Sequence, residues 1–131
     1  MEIVDKYIIE LEEDLKLDST SLEDKTMKVP GIKGKWLSRL IKHKREVKKC
    51  EVLMDEAKTK LIKEYEKNSD VAFSKATLEK IVMDHEVLRK IKNNIDNEKL
   101  AIEFCDRSLS IVSSVTYDIK NILEGYKLEL T

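Results

Sequence analysis

Eight lysines and arginines fall within residues 33–49, KGKWLSRLIKHKREVKK, against the single acid Glu46, so this stretch carries +7 in a chain whose formal net charge is −1. At such density these side chains attract an anionic polymer and hold its phosphates in place of small counterions. On a helix, Lys35, Arg39, Lys42, Arg45 and Lys49 advance in steps of four, three, three and four, which gathers them on one side, with Lys44 and Lys48 flanking the other edge and Lys33 just before. The rise from Lys35 to Lys49 is about 21 Å, enough to follow several phosphates of an extended strand. Lys58, Lys60, Lys63 and Lys67 continue the supply, but Asp55, Glu56, Glu64 and Glu66 are interleaved there and offer partners within the chain. Contacts of this type position a strand without reading its bases. Duplex readout needs Asn, Gln or Arg aimed at base edges from a compact module, so a single-stranded or backbone-only mode is expected. The bland alternative is the solvated side of an ordinary helix.

Other chemistry finds little support. His43 and His85 are remote from one another in sequence, and the glycines at 31, 34 and 125 match no phosphate-cradling loop. No catalytic site, metal site or cofactor is expected. Cys50 and Cys105 lack metal-ligand spacing and read as small apolar residues in a reducing compartment. The acidic amino terminus, MEIVDKYIIELEED, does not resemble a secretory signal, and no run of about eighteen apolar residues exists, so a cytoplasmic protein without membrane contact is expected. Residues 1–24 hold nine acids against two lysines, a balance of −7 beside the basic block. That acidic end is suited to shield the cations, to neutralise a neighbouring subunit or to dock a basic protein.

The elements that must carry these charges are helical. One Pro, three Gly and 39% charged residues in 131 describe an all-α chain, read as one domain over 1–131. An acidic amphipathic helix is predicted over 1–17, then a connector over 18–34, where Thr20 and Glu23 form a capping-box pattern and Pro30, Gly31 and Gly34 interrupt the chain. A long helix follows over about 35–67, with a heptad seam through Trp36, Leu40, His43, Val47, Cys50, Met54, Ala57, Leu61 and Glu64, imperfect at His43 and Glu64. Its heptad place makes Trp36 a core residue rather than a base-stacking platform. Ser74 caps a shorter helix with Leu78, Ile81 and Val82, and from about 84 to 125 a second seam runs from Leu88 to Tyr126, polar at Glu98 and Thr116. The two long helices are expected to form an antiparallel hairpin. Its stripe is wide enough to predict a homo-oligomer, with Ile102, Leu109, Val112, Ile119, Ile122, Leu123 and Tyr126 as the association face. Periodicity does not distinguish a ring from a bundle.

Three strings, LEEDLKLDSTSL, KWLSRLIKHKRE and EFCDRSLSIVSS, in that order and at these separations, resemble the UvsY family of phage recombination mediators. The resemblance covers most of the chain, including Asp18, Ser19, Thr20, Leu22, Lys35, Trp36, Leu37, Phe104, Cys105, Ile119, Lys120 and Ile122. It implies a non-enzymatic helical protein that forms a homo-oligomeric ring, heptameric in this expectation. Such a protein binds single-stranded DNA and helps a RecA-type phage recombinase replace the single-stranded DNA-binding protein. It also places the family's DNA-contact motif on Lys58 and Lys60. The tail departs from the aromatic-rich close of the family, ending Glu124, Gly125, Tyr126, Lys127, Leu128, Glu129, Leu130. A coiled-coil adaptor that joins proteins and touches no nucleic acid is the alternative from a different class.

Overall fold

The computed structural model describes residues 2–16, 22–68 and 72–130. Among them the regular structure is entirely α-helical: α1 spans Glu2–Asp14, α2 Leu22–Asn68, α3 Lys75–Met83 and α4 Glu86–Leu130. Packing divides the chain into two compact units where the sequence suggests one, Met1–Lys42 with Leu100–Thr131, and His43–Lys99. In the first, Tyr7 and Leu11 of α1, Val29, Trp36 and Leu40 of α2, and Cys105 and Val112 of α4 form one buried cluster. In the second, the buried residues include Val47, Cys50, Leu78, Val82, Leu88 and Ile95.

The connector predicted over 18–34 is corrected by α2, which is already helical at Leu22 and continues through Pro30, Gly31 and Gly34. Locally this is unfavourable, by about 3 kcal/mol for an interior Pro and about 1 kcal/mol for each Gly. Tertiary burial decides otherwise. Val29, Ile32, Trp36 and Leu40 recur at steps of three, four and four along one face and all pack in the first unit's core. Each large apolar side chain fully buried contributes about 1.5–3 kcal/mol, so this face outweighs the breakers. Residues 18–21, and with them Thr20 of the predicted capping box, lie outside the described residues. At the other end α4 runs past Gly125 to Leu130, where the periodic pattern had suggested a stop near 125.

Ser74 caps α3: its Oγ accepts the Thr77 backbone N–H at 3.2 Å. Asp84 closes α3, and α4 begins at Glu86, where the His85 ring Nδ1 accepts the Val87 N–H at 3.2 Å. Two seam imperfections also answer one another. His43 Nδ1 lies 2.5 Å from Glu98 Oε2, so one polar interruption of each heptad seam meets one of the other within the second unit. Both cysteines are buried, and burial pushes the Cys105 thiol up to about 11.

A Cβ built on Gly34 would meet nothing within 4 Å, and no glycine has positive φ. The glycine is therefore a helix weakness without a packing role in this fold. Gly34→Ala is expected to raise unfolding free energy by about 0.5–1 kcal/mol in urea titration, with helicity unchanged.

Candidate nucleic-acid interface

The basic block does not present one uniform surface. In the first unit, Trp36 is fully buried, its ring edge-on to Tyr7 at 5.4 Å and to Phe104 at 5.7 Å between centroids. Its Nε1 donates to Asp14 Oδ2 at 3.0 Å, and Lys35 Nζ donates to the same oxygen at 2.7 Å. One helical turn on, Arg39 grips the Glu10 carboxylate with both ends of its fork, Nη1 to Oε2 at 2.6 Å and Nη2 to Oε1 at 3.3 Å. The guanidinium carbon also lies 4.6 Å from the Tyr7 ring centroid and 5.0 Å from that of Trp36. Thus Glu10 and Asp14 of α1 find their counter-charges at Lys35 and Arg39 of the same chain.

The titration behaviour follows from this geometry. The hydrogen bond from Arg39 is the main reason the Glu10 carboxyl is held below its ordinary value of 4.5, with the charges of Arg39 and Lys35 adding to it. Burial pulls the Arg39 guanidinium down, but the hydrogen bond and charge of Glu10 more than offset that. Lys35 and Arg39 are accordingly corrected from open phosphate contacts to structural cations that fasten α1 to α2. In the same unit Lys33 is partly exposed and Lys42 is exposed.

The second unit carries most of the open charge. Lys44, Arg45, Lys48 and Lys49 are all exposed, and among the described residues none of them, nor Lys42, enters an ion pair. Arg45, Lys48 and Lys49 line an open cleft of about 620 Å³ together with the exposed Val52 and Leu53 and with Glu56. The spacing of 45, 48, 49 and 52 keeps these side chains on one face of α2. Lys60 is exposed and Lys58 half-buried, and the interleaved acids expected to pair with them do not come within ion-pair distance. Lys60 shares a smaller cleft with Asp55, Glu56, Thr59 and Lys63, a mixed-charge surface less suited to phosphate.

The residues expected to join subunits separate in the same way. Val112 and Ile119 are each 2% exposed, so neither offers a face to a second copy. Val112 packs in the cluster of Tyr7, Leu11 and Trp36, and Ile102 and Leu109 lie partly buried against it, because α1 and the early turns of α2 already cover that part of the α4 stripe. Leu123 is half-buried, while Ile122 and Tyr126 are exposed, as are Tyr117 and Leu128 on the same helix. Among the described residues no group of His, Cys, Asp and Glu is arranged to hold a metal, and no helix is long and apolar enough to cross a membrane.

The sequence model described as "Recombination, repair and ssDNA binding protein UvsY" matches residues 10–130. The chain belongs to the UvsY family. Among solved structures, the bacteriophage T4 recombination mediator protein UvsY in its lattice type IV crystal superposes with a TM-score of 0.84 at 20% identity, over 96% of this chain and 98% of that one. Its lattice type II form gives 0.83 at 20% identity over 97% of each chain, and lattice type I gives 0.79 at 21% over 92% of this chain and 96% of that one. At such identity the likeness establishes a shared all-α fold. No curated protein sequence is a significant match. For a UvsY-family chain the division of the cations is the finding that sequence alone did not give, although a −7 segment next to a +7 segment is the signal that announces it.

The pH dependence has a definite sign. Because the folded Glu10 carboxyl titrates below its ordinary value, its contribution to stability is present above about pH 4.5 and is lost as pH falls through the lowered folded value. In chemical denaturation, the wild type is expected to exceed Glu10→Gln by a constant margin from pH 7 to pH 5, and the margin is expected to close on further acidification.

Proposed function

We propose that this UvsY-family chain is a recombination mediator that binds single-stranded DNA and helps a RecA-type phage recombinase replace the single-stranded DNA-binding protein on it. The observation that carries the DNA part is the open cluster of Arg45, Lys48 and Lys49 along its cleft, with no acid among the described residues paired to any of them. Lys42 and Lys44 extend this positive surface along α2, and Lys58 and Lys60 are secondary contacts. Lys35 and Arg39 act one step back, by holding α1 in place.

The reading includes a homo-oligomer in which the long helices pair as antiparallel hairpins and several subunits present their cations to one strand. Repetition of weak phosphate contacts gives avidity, and these contacts themselves read no sequence. The family description, which couples recombination and repair with single-stranded DNA binding, supports the partners. A strand bent or extended over such a surface fits a competing binding protein less well, which is how a purely electrostatic protein can favour exchange without catalysing a covalent step.

The affinity for a single strand is expected to fall with salt at a log–log slope of about −0.7 per neutralised phosphate. Replacing Arg45, Lys48 and Lys49 together by Ala is expected to flatten that slope by up to about 2 and leave helicity and subunit number unchanged. An unaltered slope would show these cations to be a solvated face. Absence of binding at low and high salt would favour the adaptor that touches no nucleic acid.

A further inference from the structure

Glu64 occupies a position in the α2 seam where an apolar residue belongs, yet unlike His43 it has no partner: among the described residues it enters no ion pair. It opens instead onto a cleft of about 450 Å³ in the second unit, lined by Leu61, Glu64, Tyr65, Asn68, Phe73 and His85. The first four stand at i, i+3, i+4 and i+7 on the last two turns of α2, so they share one face. Phe73 comes from the segment before α3 and is 41% exposed, and His85 from the turn before α4.

The lining selects its occupant by chemistry. Two of the chain's seven aromatic rings, Tyr65 and Phe73, give the cleft flat π-surfaces suited to stacking, while Tyr7, Trp36 and Phe104 are committed to the first unit's core. The backbone N–H of Val87 donates to His85 Nδ1, which leaves Nε2 to carry the ring proton as a donor. Asn68 supplies a carboxamide that both donates and accepts, and Glu64 a carboxylate with two acceptor oxygens. Among the described residues no cation lines the cleft and one carboxylate does, so phosphate is disfavoured there. Lys60, Lys63 and Lys67, exposed on the neighbouring turns of α2, can hold phosphates outside.

We infer that this cleft takes one unpaired nucleobase of the bound strand, stacked on Tyr65 and Phe73, and that Glu64 favours guanine. A carboxylate accepts from the guanine N1–H and N2–H together, while His85 Nε2–H or the Asn68 amide can reach its O6 or N7 acceptors. Adenine and cytosine offer a carboxylate only their exocyclic amino group. Thymine offers one N–H between two carbonyls that repel it. This inference rests on the single-stranded DNA reading and adds to it a contact that does not depend on salt. Charge then sets where the strand lies, and this cleft biases which base pauses at the end of α2.

The test uses the full chain with three oligonucleotides of one length, titrated by calorimetry over a range of salt: all thymine, thymine with guanine at regular intervals, and abasic. The guanine strand is expected to bind at least about five-fold more tightly than the abasic strand, the lower end of what one stacked base contributes, with equal salt slopes. Glu64→Gln, nearly isosteric and exposed, is expected to abolish most of the guanine-over-thymine preference. Phe73→Ala, outside any helix, is expected to weaken both base-bearing strands at unchanged slope and helicity. Three strands bound equally, with a steep slope, would leave the phosphate reading standing and overturn this one. A guanine preference that both variants leave intact would place the base elsewhere and overturn it too. Affinities for all three strands unmoved by either variant would assign the cleft to a partner protein's side chain. If no strand binds at any salt, the DNA reading fails and this inference with it.

Discussion

The indole of Trp36 is where three helices of the first unit meet. Its faces and edges pack on Tyr7 from α1 and Phe104 from α4, and its one polar atom is satisfied by Asp14. A buried indole N–H without an acceptor would cost about 1–3 kcal/mol, so the position of Asp14 is as constrained as the ring itself. That constraint fixes α1 in register, and from the register the rest follows. Glu10 lies one turn before Asp14 and Arg39 one turn after Lys35, so the acids of one helix face the cations of the other in pairs.

Charge separation in the sequence therefore has two outcomes in the fold. The part of the basic block opposite α1 is neutralised and partly dehydrated, where Arg39 in particular works as a flat plate between rings as much as a charge. Arg45, Lys48 and Lys49, in the second unit, enter no ion pair among the described residues and keep their field.

Much of this was legible beforehand, for physical reasons that differ residue by residue. The heptad seams predicted the burial of Trp36, Leu40, Val47 and Cys50, because period is a property of one helix and needs no knowledge of its neighbours. The Ser74 cap was legible for the same local reason. The breakers were misleading: Pro30, Gly31 and Gly34 are strong signals only until a buried face outweighs them, and the partners of Val29 and Ile32 lie far away in sequence. The partition of the cations was illegible for a related reason. Lys35 and Arg39 differ from Lys42 and Arg45 in what stands opposite, not in type. His43 and Glu98, each an apparent flaw in its own seam, become sense only as a pair.

Trp36 is the single tryptophan of the chain, and it is wholly shielded from solvent. Its emission is thus a built-in optical gauge of whether α1 is seated: blue while the indole is dry, shifting red when the helix lifts and water reaches the ring. Arg45, Lys48 and Lys49 lie on the other compact unit, so a strand that settles there without disturbing α1 leaves the signal still, and one that pries the helix loose turns it on.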